Sequence, residues 1–202
     1  MVNFWIGYNH KYPEAFEATA KSLTQFDIKC FQLPSLFEEE GTTPFTRTRF
    51  LPPQLDMSTN EWVAFVDDDF IFLDDPQQIV SNFDNTKSIY VCKHPNYTSS
   101  VQVKSSGKQT NYDRKNWSSL IFWNKGLFDS DVDVFNSPLS YLHSFQWVDD
   151  EHIGSIDLRW NWLVGEYEED RTDIKALHYT LGGPWYPNAY TSNYNKKWLD
   201  AN

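Results

Sequence analysis

The stretch WVAFVDDDFIFLDDP, Trp62 to Pro76, constrains the fold more than any other part of the chain. Trp62 to Val66 are all apolar and read as a buried strand. Asp67, Asp68 and Asp69 follow at once, and Phe70 to Leu73 resume the apolar run. Three adjacent carboxylates at the end of a buried strand repel one another and are costly to remove from water. The arrangement calls for a positive partner.

The surrounding pattern alternates strands and helices. Val2–Tyr8 reads as a first strand, and Pro13 suits the first turn of a helix, where a missing N–H costs nothing. Phe16, Ala20 and Leu23 fall on one face of that helix, and Ile28–Leu33 reads as a second strand. Strand, helix and strand together predict a parallel βαβ unit with a right-handed crossover. Pro34 to Pro53 reads as a loop with a short helix near Arg47 to Leu51. Asp74, Asp75 and Pro76 form a helix start. Ser88–His94, Ser118–Asn124 and Ile174–Thr180 read as further strands, with a helix over Ser137–Phe145. Residues 95–113 are polar and are expected to form a mobile loop suited to a lid. The fold class is therefore α/β, an open layered sheet. In such sheets ligands bind beyond the carboxyl ends of the strands, where the three aspartates and Tyr8 to His10 fall.

The charge balance narrows the partners. A formal charge of −11 over 202 residues disfavours nucleic acid and anionic membranes. A phosphorylated ligand would then need a bound cation or a local basic cluster. No apolar run is long enough to span a bilayer, and the N-terminus lacks the pattern of a secretory signal. Two cysteines, Cys30 and Cys92, lie in apolar runs and read as reduced, buried thiols, so the expected location is the cytoplasm.

For Asp74 and Asp75 helix capping is the expected role. For Asp67 to Asp69 the apolar flanks favour a divalent cation that offsets their repulsion. A second feature is ALHYTLGGPWY, Ala176 to Tyr186, where His178 ends a strand and paired glycines follow. Gly182 and Gly183 let backbone N–H groups approach an anion with no Cβ in the way.

Several segments, in order, resemble the nucleotide-sugar glycosyltransferases of GT-A fold, especially those akin to family 8 and the compact domains of bacteria, phages and large algal viruses. They are FWIGYNH, TRTRFLPP, FVDDDFIF, YDRKNWSSLIFWN, YLHSFQWVDDEHIG, WNWLVGEY and LHYTLGGPW. The resemblance implies one GT-A domain over residues 1–202, with a mixed, mostly parallel sheet and helices on both faces. Residues 1–94 would chiefly bind the nucleotide, and residues 95–202 the acceptor, metal and diphosphate. It implies Mn²⁺ (or Mg²⁺) held by Asp67, Asp69 and His178, and a UDP-sugar donor touching Asp67 and Asp68. Tyr8, Asn9 and His10 would lie at the uracil, with Arg49 rather than Arg47 on the donor. Gly182, Gly183 and Trp185 would flank the diphosphate and acceptor cleft. Family 8 usually has a Lys before the final Pro-Trp where this chain has Gly183, so Gly182 and Gly183, or Arg114 and Lys115, are the expected substitutes. Asp150, with Asp149 as runner-up, is expected at the transferred sugar, against the alternative of a solvated helix-end cluster.

The implied activity is transfer of a hexose-type sugar to a glycan or other hydroxyl acceptor, with retention of configuration. The chain could be one domain of a longer protein. Two other classes use similar residues: a sugar nucleotidyltransferase and a non-catalytic carbohydrate-binding domain. The first is weakened by the absence of an early Gly-rich basic loop. Most of the tryptophans are expected in the core, and Ser118 and Ser119 are possible sugar contacts.

Overall fold

A strand with no polar residue has no face for water, and Trp62–Val66 lies inside a sheet with neighbours on both sides. The computed structural model describes residues 1–35, 43–95, 97–99, 103–104, 107–108 and 113–201. Strand β1 (Asn3–Ile6) leads through Pro13, at the first turn of helix α1 (Pro13–Thr24), into β2 (Cys30–Gln32). A 3-10 turn at Thr48–Phe50 and helix α2 (Pro52–Leu55) precede β3 (Trp62–Val66). Beyond the acidic turn come β4 (Phe70–Phe72), α3 (Gln77–Val80) and β5 (Ile89–Cys92). Then follow β6 (Val103–Lys104), β7 (Gly107–Lys108), β8 (Leu120–Asn124), α4 (Leu139–His143) and β9 (Ile153–Ile156). The chain ends with β10 (Trp162–Leu163), β11 (Ala176–His178) and α5 (Asn195–Ala201).

The main sheet runs β2-β1-β3-β8-β5-β9. β1 pairs in parallel with both β2 and β3, and β5 with β9, while β8 is antiparallel to β3 and β5. The expected βαβ unit is therefore present, as is the mixed, mostly parallel sheet. A second sheet, β10-β11-β4, continues where the first ends. Alternate residues of the main sheet build two cores. Phe4, Ala64 and Phe122 face α1 through Leu23, while Phe65, Ile121 and Trp123 face Phe50, Leu142 and Phe145 on the other side. A third core, with Ile71, Leu177, Tyr179 and Trp198, sits behind the small sheet.

Several elements differ from the sequence reading. β1 and β2 are shorter than expected, and β4, β9, β10 and α5 were not anticipated. The lid expected over 95–113 lies largely outside the described residues, of which the antiparallel pair β6–β7 is part. Asp75 accepts from the Gln77 N–H at the start of α3, and Asp74 pairs with Lys175 at 2.7 Å. Both thiols are free, and burial raises each, Cys30 to about 12. Trp62, Trp123, Trp160, Trp162 and Trp198 are buried, as the composition suggested.

At the sheet edge away from the acidic turn, Asp56 ties three segments together. Its carboxylate accepts from Asn3 Nδ2 at 2.8 Å, Lys125 Nζ at 3.1 Å and the Ser58 N–H at 3.0 Å. Burial by itself would raise this carboxyl, but the bonds from Ser58, Asn3 and Lys125 outweigh it and lower it to about 2. A carboxyl lowered in the folded state stabilises above its unfolded value and loses that contribution as pH falls through the folded value. The stability gap between wild type and Asp56→Asn should therefore narrow by on the order of 2 kcal/mol between pH 5 and pH 1.5. Urea unfolding of the two proteins across that range measures the gap; a constant gap contradicts the assignment.

Candidate functional site

The acidic turn is the point at which the chain leaves the main sheet for the small one. Asp67 still belongs to the first, its N–H donating to the Ser119 carbonyl at 2.9 Å. Asp69 already belongs to the second, its carbonyl accepting from the Tyr179 N–H at 2.9 Å. Between them, the Thr19 hydroxyl of α1 lies 2.8 Å from the carbonyl oxygens of both Asp68 and Phe70. A helix hydroxyl so placed fixes the path of the turn, which would otherwise lack backbone partners.

The antiparallel register of β4 on β11 sets Phe70 opposite His178. Their rings stack at 4.4 Å, and His178 Nε2 comes to 3.4 Å from Asp69 Oδ1. The other ring nitrogen, Nδ1, lies 2.8 Å from Asn161 Oδ1. Asn161 Nδ2 in turn donates to Ser119 Oγ at 2.9 Å, which assigns the amide oxygen to the imidazole. His178 Nδ1 thus donates to Asn161, and Nε2 is the nitrogen turned toward the aspartates. Metal-binding histidines are held by their second nitrogen in this manner.

Asp67 is steadied from the opposite side. Arg49 Nη1 lies 3.0 Å from Asp67 Oδ1 and 2.8 Å from the Ser118 carbonyl. Its guanidinium is buried over the rings of Phe65 and Phe45, at 5.1 and 5.4 Å. Stacking and hydrogen bonds of this kind suit Arg rather than Lys. Arg47 instead donates to the carbonyls of Val134 and Ser137, away from the turn. Asp68 is buried, and desolvation, then the charges of Asp69 and Asp67, push its carboxyl well above the usual range.

Asp67, Asp69 and His178 each offer a ligand atom, all within 4.8 Å of one another. That spacing matches donors around one cation at about 2.1–2.4 Å. The three residues expected to act together are brought together. Tyr8, Asn9 and His10 follow β1 on the same edge, since Ile6 lies opposite Val66 and the Gly7 N–H donates to the Val66 carbonyl. Gly7 is needed there because a Cβ would meet the Phe45 ring at 2.6 Å.

Other expected residues have different surroundings. The Gly182 N–H donates to the Tyr179 carbonyl at 2.7 Å, so it closes a turn at φ +99° rather than pointing outward. Gly183 accommodates Trp185, whose ring would lie 1.9 Å from an added Cβ. Trp185 packs half-buried on Tyr179, Tyr186 and Trp198. Arg114 pairs with Asp150, donates to the Ser144 carbonyl and lies over Trp117. Ser118 and Ser119, expected as sugar contacts, are buried and bonded to His143 and Asn161.

Asp149 and Asp150 are exposed and lie outside the cluster. They precede β9, whose first residue, Ile153, pairs with Ile89 at the amino end of β5. The His152 carbonyl accepts from Ser88, and Ser88 from Asn124, which lies opposite Trp62. The segment therefore turns at the sheet edge opposite the one that carries Asp67.

Two groups escaped the sequence reading. Asn161 has only one local signal, a lone amide within the apolar run Trp160–Val164. Tyr12 and Tyr186 form a tilted pair at 4.4 Å, and burial, Tyr12 and the charges of Asp69 and Asp68 raise the Tyr186 phenol. An aromatic wall thus borders the acidic turn.

No family model matches the chain. It is 38% identical over 168 residues to Protein CDI of Arabidopsis thaliana, a match that takes in 79% of this chain but only 64% of that relative. The glycosyltransferase GlyE of Streptococcus pneumoniae TIGR4 superposes with a TM-score of 0.62 at 10% identity, over 98% of this chain and 59% of that one. The galactosyltransferase LgtC, solved with donor and acceptor sugar analogs, gives 0.60 at 10% identity, over 100% and 95% of the two chains. The chain has the GT-A fold of these glycosyltransferases.

Proposed function

We propose that this chain is a divalent-metal-dependent glycosyltransferase that moves a hexose-type sugar from a UDP-sugar to the hydroxyl of a glycan or other acceptor, with retention of configuration. The observation that carries the reading is the meeting of Asp67, Asp69 and His178 at the carboxyl edge of a GT-A sheet. Two carboxylates and an imidazole with its proton held on the far nitrogen form a mixed oxygen and nitrogen donor set, which suits Mn²⁺ better than Mg²⁺. Bound there, the cation supplies charge stabilisation to the departing diphosphate.

The chain's own residues do the positioning. Arg49 holds the Asp67 carboxylate, and Asn161 holds the His178 ring. Burial, then the charges of Asp69 and Asp67, push the Asp68 carboxyl up and so disfavour a third negative charge at the turn. Tyr8 and Asn9 lie next to the turn and are the residues proposed to meet the uracil, and the Tyr12–Tyr186 pair borders the site. Asp149 and Asp150 precede the amino end of β9, and Asp150 pairs with Arg114, so this reading gives them no part in holding the metal. Same-face attack, with the leaving phosphate receiving the acceptor proton, is the retaining route that needs no protein nucleophile.

Calorimetry with UDP tests the reading. Wild type should bind UDP with Mn²⁺ present and lose binding in EDTA, and Asp67→Asn/Asp69→Asn should show no Mn²⁺-dependent binding while unfolding at a urea concentration close to that of wild type. UDP binding indifferent to the metal would refute the proposal. Asn161→Ala removes the support of the imidazole, together with a bond to Ser119, and should weaken Mn²⁺ affinity about 10–100-fold. A manganese titration followed by electron paramagnetic resonance reads this directly, and unchanged affinity would show that His178 is not a ligand.

A further inference from the structure

A second histidine lies near this cluster and has no part in the mechanism above. His94 follows β5 by two residues, on the sheet edge that carries Asp67, because Val91 pairs with Ile121 and Val66 with Leu120. It is only 5% exposed. Its Nδ1 lies 2.7 Å from the Tyr167 hydroxyl, and Tyr167 extends from the same β10–β11 ribbon that holds His178. Among the described residues its Nε2 meets no hydrogen-bond partner. Leaving such a nitrogen buried and unmatched is costly, because its bonds to water are lost without replacement.

Charge and tautomer narrow what can satisfy it. Burial, with His178 close enough to add to the effect, lowers the imidazole to about 3, so it is neutral at physiological pH. Burial also raises the Tyr167 phenol to about 12 and keeps its proton. If the phenol donates to Nδ1, then Nε2–H is a free donor; if Nδ1–H donates to the phenol, Nε2 is a free acceptor. A hydroxyl fits both cases, whereas a phosphate oxygen fits only the first. Asn116 adds a second polar group, a donor, near the same network. Its backbone carbonyl lies 3.5 Å from Asn161 Nδ2, in the network that holds His178. Its Nδ2 lies beside the Tyr97 phenol but makes no hydrogen bond of good geometry among the described residues.

We infer that His94 Nε2 binds a hydroxyl of the sugar carried on the diphosphate, making His94 a donor-specificity residue. The inference rests on the donor reading above. On that reading the cation holds the diphosphate, so the neighbouring imidazole outside the metal cluster is assigned to the sugar attached to it. His94 would therefore act on the sugar and leave the UDP portion untouched.

Calorimetry at saturating Mn²⁺ separates the two, using UDP alone and then UDP-glucose, UDP-galactose and UDP-N-acetylglucosamine. His94→Phe should bind UDP as wild type does, yet lose about tenfold in affinity for the UDP-sugar that wild type binds best. His94→Gln, whose amide reaches the position of Nε2, should recover most of that loss. Should His94→Phe fail to fold, Tyr167→Phe frees the imidazole without removing it and should show the same selective weakening. Unchanged UDP-sugar affinity in whichever of these variants folds overturns the inference. Equal weakening toward UDP and UDP-sugar also overturns it. Failure of wild type to bind UDP with Mn²⁺ removes the donor reading itself, and this inference with it.

Discussion

The register of β4 on β11 is the constraint on which the site depends. It sets Phe70 opposite His178, and with the two rings stacked the imidazole has one place to go, against Asp69. A slip of one residue would turn His178 to the other face of the small sheet. It would also place Leu177 against the wrong neighbours in the third core and Ala176 against the wrong ones in the first. The same apolar packing that stabilises the small sheet therefore fixes the spacing of the polar cluster.

The three carboxylates are tolerated by unequal treatment. Asp67 has the Arg49 guanidinium at 3.0 Å, Asp69 faces His178, and Asp68 is buried and driven toward its neutral form by desolvation and its neighbours. One turn thus separates three identical side chains by environment. Arg49 is itself enclosed by Phe45 and Phe65, and a buried cation is held best where carbonyl and carboxylate acceptors converge, as Ser118 and Asp67 do here. On the proposed reading, a dication takes the remaining repulsion between Asp67 and Asp69.

How much of this was legible in the sequence follows from where each signal resides. β3, β5 and β8 are continuous apolar runs and were readable as strands, and Pro13 marked the start of α1. β4 escaped notice because three residues after a turn establish no periodicity, and β9, Ile-Gly-Ser-Ile, has a composition that weakens a strand pattern. The acidic triplet and His178 could be paired from their positions at strand ends, and the structure does bring them together. Asn161 could not be found in that way, because its value lies in contacts to His178 and Ser119, which are 17 and 42 residues away. The expected role of Asp149 and Asp150 came from family pattern alone, and here the turn at Asp150–His152 lies before the amino end of β9.

The two sheets each supply part of the cluster, so whatever joins them governs its geometry. Asp67 is anchored to β8 through Ser119, and Asp69 to the small sheet through Tyr179. Helix α1 spans the joint: Thr19 bonds the turn, and Ser22 Oγ accepts from the Phe72 N–H at 3.1 Å. Small side chains, Ala15 and Ala18, let the helix sit close enough for those hydroxyls to reach backbone. Helix α5 packs on α1 and β4 in turn, placing Trp198 against the third core. A ligand gripping Asp67 and Asp69 at once would bridge the same joint from the front, and binding energy of that kind adds to the stability of the folded state. The hydroxyl contacts behind the turn and the ligand before it would then act on one element, and the backbone between Val66 and Phe70 is where their effects combine.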